Sequence, residues 1–437
     1  MARAEAIDPR RVRDLALPLR GDHTDFDAVV DAAARCRFVL IGEASHGTHE
    51  FYRIRGEITK RLLRECGFAA VAIEGDWPDA RLVDRYVRGE SGGDAQDALA
   101  GFRRFPTWMW RNADVLDFVG WLRDFNDTLP RREQAGFYGL DLYSLNRSID
   151  AVVAYLARVD PAAARRARER YACFDRFGPD MEGYAYRVGA GLDRSCRREA
   201  LEQLLDLQRR SFADADAFYA EQNARVVASA EQYYRTMIDQ EISSWNLRDR
   251  FMYETLERLA AYLAHEREER VKIVVWAHNS HVGDARATSM GAGREINIGQ
   301  LTREGNPNDT LAVGFTTSTG TVSAASRWHE EPQRKVVRAP MPGSWEAVFS
   351  QTGLAAFYLD LRRAADSYSL LRARLLERAI GVVYRPETEL ASHYMEARIA
   401  DQFDALFHYE RTRAVEPLER TPLWEAGEVP ETFPSGI

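Results

Sequence analysis

Short apolar runs recur along the chain, and each is bounded by glycine or by polar residues. Apolar runs with such boundaries are typical of strands that are buried on both faces. We therefore predict strands at residues 38–41, 69–73, 136–140, 273–276, 311–315, 356–359, 381–384 and, late in the chain, 404–408.

Most segments between these runs have apolar residues three or four positions apart, which is the spacing of one buried helical face. A clear example follows the first predicted strand, at Phe51, Ile54, Ile58 and Leu62. Alternating strands and helices predict an α/β fold, with a mostly parallel central sheet that is flanked by helices.

One long segment breaks this alternation. Charged stretches dominate it, and apolar residues such as Leu201 and Leu205 recur there at helical spacing. We predict an α/β core at residues 1–149 and 271–437, with a large helical insertion at residues 150–270 of the same domain. Helix-on-helix packing accounts for most of the insertion. Alternatively, the insertion is a cap that walls one side of a substrate crevice.

Acidic and histidine side chains follow three of the predicted strands. Glu43 and His46 come after the first strand, and Glu74 directly follows the second. His278 and His281 come after the fourth strand. In α/β folds, ligands bind at the carboxyl ends of parallel strands. We therefore expect these side chains to meet in one crevice, where they can perform general acid–base chemistry.

The first histidine is the candidate general base, because an imidazole can accept a proton from water near neutral pH. Glu43 could orient the ring of His46 and stabilise its protonated form. If the first two strands are neighbours, Glu74 projects beside Glu43, and one of the two carboxyl groups should have a raised pKa. Glu74 could then hold a water or donate a proton, or it could simply pair with an arginine such as Arg55.

The second histidine pair has several possible roles. His278 could act as an electrophile or as a proton donor to a leaving oxygen, and we favour it over His281 because it lies closer to the strand end. Asn279 could fix the tautomer of either ring. The alternative is that these histidines, like His46, only form hydrogen bonds within turns and loops.

A metal site is a further alternative. Two H-x-x-H pairs together with two glutamates could bind a divalent cation. However, the chain has no H-E-x-x-H motif, and Gly47 and Thr48 interrupt the first pair. The chain also has no G-x-S-x-G elbow, no phosphate-binding loop and no dinucleotide motif, so we expect no serine nucleophile and no cofactor.

Composition narrows the possible partners. The 437 residues are 45% hydrophobic and 29% charged, and the formal net charge is -8. Nucleic acids and anionic membranes recruit basic patches, so we expect neither as a partner. No apolar stretch has the length of a transmembrane span and no secretory signal is evident, which favours a cytoplasmic protein.

The cysteines show no C-x-x-C spacing, so we expect reduced thiols. The oligomeric state stays open.

The segments GEASHGTHEF at residues 42–51, IEGD at 73–76 and AHNSH at 277–281 together resemble the erythromycin esterase family. The resemblance continues through GFTT at 314–317 and YRPET at 384–388, in the family's order and over nearly the whole chain. It implies a hydrolase that opens a macrolide lactone by attack of water, without a covalent intermediate. It also implies a metal-independent reaction, as in the best-understood members.

The resemblance assigns roles to six residues of these motifs and of the first helix. They are His46 as general base, Glu43 and Glu74 as the residues that position it and the water, His278 and His281 as the second histidine motif, and Arg55 as the active-site arginine. The expected partner is a small-molecule ester or lactone substrate. Two alternatives remain, a metal-dependent hydrolase on the same site and a non-catalytic protein that binds small molecules or assists biosynthesis. No motif assigns a role to His49 or His393.

Overall fold

A computed structural model describes residues 7–178, 181–209, 214–237 and 243–427. The strands within these residues, in chain order, are β1 Leu17–Pro18, β2 Phe38–Ile41, β3 Ala70–Asp76, β4 Gly136–Asp141, β5 Ile273–Trp276, β6 Thr310–Ala324, β7 Gln333–Val337, β8 Ala356–Asp360, β9 Leu375–Arg378, β10 Tyr394–Ala397 and β11 Ala405–Thr412.

Helices fill most of the chain between the strands. In chain order they are α1 Pro9–Leu15, α2 Asp27–Ala33, α3 His49–Glu65, α4 Trp77–Val87, α5 Ala95–Leu99, α6 Ala113–Asp127, α7 Leu145–Val159, α8 Pro161–Asp175, α9 Met181–Gly189, α10 Arg197–Gln208, α11 Ala215–Thr236, α12 Ser244–Arg267, α13 Asn279–Val282, α14 Ser289–Ala292, α15 Ile298–Gly305, α16 Trp345–Ser350, α17 Leu361–Ser367, α18 Glu389–Ser392, α19 Ile399–Gln402 and α20 Pro422–Ala426.

The central sheet has the strand order β1-β8-β11-β6-β2-β5-β3-β4, and β7 pairs with β6. Its six strands from β11 to β4 are parallel, while β1, β7 and β8 pair antiparallel. β5 lies between β2 and β3, because Val275 pairs with Leu40 on one side and with Ala72 on the other. The prediction of an α/β fold with a mostly parallel sheet flanked by helices is confirmed, although β2 and β3 are not neighbours.

Several strands run past their predicted ends, and two predicted strands differ most from the structure. Residues 381–384 form only an isolated bridge, between Val383 and Ala325. The regular strand nearby is β9, which pairs with β10 in a separate two-stranded sheet. β6 continues well beyond its predicted end at residue 315, because its run of threonine and serine pairs with both β11 and β7. Threonine is β-branched and suits an extended backbone despite its hydroxyl group.

Between β4 and β5 the regular elements are the helices α7 to α12. α11 packs against α7, α9, α10 and α12, while α12 also contacts β4 and α15. The long α12 begins where the side chain of Ser243 accepts a hydrogen bond from the backbone N–H of Asn246, which satisfies one free donor of its first turn. α12 therefore connects the helices of residues 150–270 directly to the sheet. The division into a core and an insertion stays a prediction.

The cysteines differ from the expectation of reduced thiols. Cys173 and Cys196 form a disulfide with their Cα atoms 5.9 Å apart, a separation that suits such a bond. They meet because α8 packs against α10. Cys36 and Cys66 are free thiols. None of the described helices combines the length and the apolar composition that a bilayer-spanning segment needs.

Candidate active site

The carboxyl ends of β2, β3 and β5 bring the predicted side chains together. The rings of His46 and His278 lie 4.8 Å apart, measured between their centroids. The backbone N–H of His278 donates to Oε2 of Glu74 over 2.9 Å. β5 is the central strand of the three, so the loop that follows it reaches both neighbouring strand ends.

His46 is held by a buried carboxylate. Its Nδ1 lies 2.8 Å from Oε1 of Glu43, whose Oε2 is 2.9 Å from Nη1 of Arg55. Arg55 is fully buried, and its guanidinium lies 3.9 Å from the ring centroid of Tyr52 and 4.9 Å from that of Trp276. Aromatic faces stabilise a guanidinium cation, so Glu43 has a permanent counter-charge behind it.

Glu74 accepts hydrogen bonds from a different arginine than the sequence suggests. Nη2 of Arg248 donates to its Oε1 over 2.7 Å, and Nε2 of His281 lies 3.3 Å from the same oxygen. Burial raises the pKa of Glu74, but the positive charges of His281 and Arg248 outweigh burial and lower that pKa well below its usual value. Glu74 is therefore not a carboxyl group with a raised pKa. Its predicted partner Arg55 binds Glu43 instead.

His281 lies between two carboxylates. Its Nδ1 is 2.8 Å from Oδ1 of Asp249, and its ring stacks on Trp245 with 4.3 Å between the centroids. Burial lowers the pKa of His281, but the carboxylates of Asp249 and Glu74 have the larger combined effect and raise this pKa to about 9. At neutral pH this ring is an imidazolium, which donates protons from both nitrogens and cannot act as a base.

His278 has the opposite electrostatic character. The backbone N–H of Ser280 donates to its Nδ1 over 3.2 Å, so Nδ1 is an acceptor and the ring proton resides on Nε2. Burial, and then the neighbouring His46, lower the pKa of His278 to about 3. Its ring is therefore a neutral donor. Asn279 does not fix either tautomer as predicted, because its amide donates to the backbone carbonyl of Phe315.

Four residues of this network were not predicted as site residues. Trp245, Arg248 and Asp249 lie on one face of α12, and Asp141, at the end of β4, accepts two hydrogen bonds from Arg248. The available signals were weak. Arg248 and Asp249 follow Trp245 by three and four residues, the spacing of one helical face. Asp141 directly follows a predicted strand.

A cleft of about 1140 Å³ opens over this network, and His46, Glu74, His278 and His281 line it. Much of its remaining wall is aromatic and includes Phe102, Phe105, Trp110, Tyr143, Tyr233, Tyr234, Trp245 and Trp328. A side compartment of about 700 Å³ shares part of its wall with the cleft, including Tyr143 and Tyr234. The cleft thus combines a polar floor with apolar walls, as small-molecule sites commonly do.

Two further histidines, His49 and His393, have hydrogen-bond partners outside this network. His49 lies 2.9 Å from Asp114 through Nδ1 and 2.7 Å from Arg413 through Nε2. His393 lines the cleft, and its Nε2 accepts the backbone N–H of Arg385. Burial lowers the pKa of His393 to about 4, so this ring is neutral.

The two H-x-x-H pairs do not form a common set of metal ligands. In the described ranges, no group of three or more histidine, cysteine, aspartate and glutamate side chains is arranged to hold a metal ion. Both nitrogens of His281 face carboxylates. Those nitrogens are already engaged within the protein.

An α/β fold with a histidine–carboxylate site at its strand ends, beneath an aromatic cleft, is the architecture of a small-molecule enzyme. The chain matches the family model for erythromycin esterase over residues 63–412, and it belongs to this family. It is 19% identical to the erythromycin esterase type II of Escherichia coli, over 93% of this chain and 98% of that protein.

Solved structures share the fold. A succinoglycan biosynthesis protein superimposes with a TM-score of 0.76 and 18% identity, covering 94% of this chain and 98% of its own. A mutant of the erythromycin esterase EreC in its open conformation superimposes with a TM-score of 0.65 and 15% identity, covering 91% and 96% of the two chains. At these identities the similarity to solved structures is one of fold.

Proposed function

We propose that this protein hydrolyses a carboxylic ester or a macrolide lactone, with His46 as the general base that activates water. The observation that carries the proposal is the 2.8 Å contact between the buried carboxylate of Glu43 and Nδ1 of His46, whose ring lines an open cleft. Both residues lie in the segment at 42–51 that resembles the erythromycin esterase family. The name of the Escherichia coli relative supports the same type of reaction.

The first step uses the tautomer that Glu43 favours. A carboxylate accepts the N–H of Nδ1, which leaves the lone pair of Nε2 on His46 to take a proton from water. The negative charge of Glu43 then stabilises the imidazolium, while Arg55 holds Glu43 in place from behind. The water oxygen attacks the carbonyl carbon as its proton moves to His46.

The second step is collapse of the tetrahedral intermediate. The neutral His278 presents Nε2–H, and such a donor stabilises the oxyanion that forms on the former carbonyl oxygen. The bond to the leaving oxygen then breaks, and His46 returns its proton to that oxygen. The products are a carboxylic acid and an alcohol, which remain in one molecule if the substrate is a lactone. Glu74 stays ionised throughout and orients the water.

The size and lining of the cleft favour a bulky substrate. A volume of about 1140 Å³ is at the upper end of ordinary small-molecule sites, and aromatic side chains form much of its wall. Burying a large apolar ring system against such walls provides binding energy in proportion to the area removed from water. A macrocyclic lactone has these properties, and small polar esters do not.

The test compares His46→Gln with His49→Gln, a matched control three residues further on whose ring contacts Asp114 and Arg413 instead. Each is assayed by mass spectrometry for the gain of one water, on a panel of esters and 14-membered macrolides. We expect His46→Gln to lose about a hundredfold or more in turnover, the contribution of a general base. The control should stay near wild type. Undiminished turnover in His46→Gln, with circular dichroism unchanged, removes His46 from the mechanism.

Two further measurements separate this proposal from its alternatives. Turnover that is unchanged by EDTA, together with metal analysis of the purified protein, distinguishes it from a metal-dependent hydrolase. Binding of a panel member without hydrolysis of any member would instead indicate a protein that only binds small molecules.

A further inference from the structure

Asp249 is a buried acid that cannot reach a substrate. Its side chain has no exposure, and its two oxygens lie 2.8 and 3.0 Å from Nδ1 of His281. One of them also accepts the backbone N–H of Ile298 over 3.0 Å. These contacts anchor Asp249 between α12 and α15. Any influence it has on the reaction must therefore act through His281.

The far nitrogen of the His281 ring faces both Glu74 and Arg248. Nε2 of His281 lies 3.3 Å from Oε1 of Glu74 and 3.1 Å from Nη1 of Arg248. A protonated Nε2 donates to Glu74 and cannot accept from Nη1 of Arg248, whose Nη2 donates to Glu74 and Asp141. A neutral ring with its proton on Nδ1 has a lone pair on Nε2, and that lone pair attracts a donor from Arg248 instead.

We propose that Asp249 is a positioning residue for the hydrolytic reaction, which keeps His281 protonated so that His281 and Arg248 together hold the carboxylate of Glu74 in place. This inference rests on the proposed function, in which Glu74 orients the attacking water. Oε1 of Glu74 is occupied by these two cations, whereas Oε2 accepts only the backbone N–H of His278 among the described residues. Oε2 thus keeps an acceptor position for the water on the side of His278.

Charges on every neighbouring element act on His281. The groups that favour its protonated form are Asp249 on α12 and Glu74 on β3, and Arg248 on α12 opposes it, while the neutral His278 at the start of α13 carries no charge. Trp245 covers one face of the ring and excludes water from it. Because burial and the positive charge of Arg248 disfavour the charged ring, removing Asp249 takes away the larger of the two carboxylate contributions and favours the neutral ring.

The first experiment measures turnover against pH for Asp249→Asn and for Glu257→Gln, a control on the outer face of the same helix that pairs only with groups remote from the cleft. In wild type we expect an alkaline limb in kcat near pH 9, where His281 loses its proton. In Asp249→Asn this limb should move down by about two pH units, so that kcat at pH 8 falls about tenfold, with KM unchanged. The control should reproduce the wild-type profile.

A second measurement follows His281 directly, without reference to turnover. Histidine-selective ¹⁵N NMR, with the His281 resonances assigned through His281→Gln, should show the imidazolium persisting to near pH 9 in wild type and to a lower pH in Asp249→Asn. The NMR titration distinguishes the two proposals. If the wild-type protein hydrolyses none of the substrates, the proposed function is refuted, and the titration of His281 still tests the role of Asp249. An unchanged titration of His281 in Asp249→Asn overturns the inference.

If Asp249→Asn does not fold, His281→Gln provides the answer. A glutamine amide can still donate to Glu74 but does not titrate, so this variant should retain reduced turnover and lack the alkaline limb near pH 9. A limb that persists at the same pH in folded His281→Gln assigns it to another group and refutes the inference.

Discussion

Nη1 of Arg55 lies 2.9 Å from Oε2 of Glu43, and neither side chain reaches solvent. The pair stands behind His46 and forms no part of the cleft floor, so it acts on the ring and not on a substrate. Leaving one buried charge without its partner destabilises a protein far more than removing both charges together. This asymmetry makes the pair testable.

We predict that Arg55→Met destabilises the protein by about 3–5 kcal/mol, because it leaves the carboxylate of Glu43 buried and unpaired. Adding Glu43→Gln to this variant should recover part of the loss, since it removes the unpaired charge. Urea denaturation of both single variants and the double variant measures the coupling. Arg53→Met, an exposed position on the same helix, is the control. A double variant whose loss equals the sum of the two single losses would contradict the prediction.

The tautomer of His278 has a consequence for kinetics. Because its pKa is about 3, the ring stays neutral across the working range, and we expect it to contribute no limb to the pH profile. His278→Ala should lower kcat by about a hundredfold, the cost of one oxyanion donor, whereas His278→Gln should retain more activity because its amide donates. Profiles of kcat from pH 5 to 10 check both expectations. An acidic limb that vanishes in His278→Gln would show that His278 titrates.

Glu377 predicts a dependence of stability on pH. Burial, and then the neighbouring Glu346, raise the pKa of Glu377 to about 8 in the folded protein, whereas in the unfolded chain it has its ordinary value. The folded state therefore binds the extra proton between these two values. Its stabilising effect is complete below the unfolded pKa and is lost as the pH rises through about 8.

Glu377→Gln mimics the protonated acid, so its melting temperature should exceed that of wild type at pH 9 and match it at pH 5. Glu387→Gln, an exposed neighbour, is the control and should show no such difference. Thermal melts at both pH values measure the effect. A Glu377→Gln variant that is equally destabilised at both would indicate that the site holds the ionised form.

The disulfide between Cys173 and Cys196 gives a chemical prediction. Thiol titration in denaturant should find two reactive groups, Cys36 and Cys66, before reduction and all four cysteines afterwards. Because the bond spans 23 positions, its loss in Cys173→Ser should lower stability by about 3 kcal/mol, as expected for a loop of that length. Cys66→Ser should have a much smaller effect. Four reactive thiols before reduction would refute the bond.

Much of this arrangement could be predicted from the sequence, because buried parallel strands are continuous apolar runs. The boundaries of β2 and β5 agree with prediction, and the rule that strand ends meet at one edge places His46 near His278. The same rule does not give strand order. The expectation of two adjacent carboxylates depended on β2 lying beside β3, whereas β5, which comes much later in the chain, lies between them.

The contribution of α12 could not be predicted, for a physical reason. Which face of a helix meets a distant sheet depends on tertiary packing, and Arg248 and Asp249 are separated from Glu74 by more than a hundred residues of sequence. From the sequence, two neighbouring carboxylates predict a raised pKa for one of them. His281, together with Arg248, whose packing beside Glu74 the sequence does not indicate, lowers the pKa of Glu74 instead.

The packing of α12 against β4 has a practical meaning for protein engineering. Exchanging residues 150–270 with the corresponding segment of a relative is an obvious route to a new substrate preference. Such a chimaera would also replace Trp245, Arg248 and Asp249, which surround His281. A graft that ends before Ser243 would exchange most of residues 150–270 and retain the original side chains around His281.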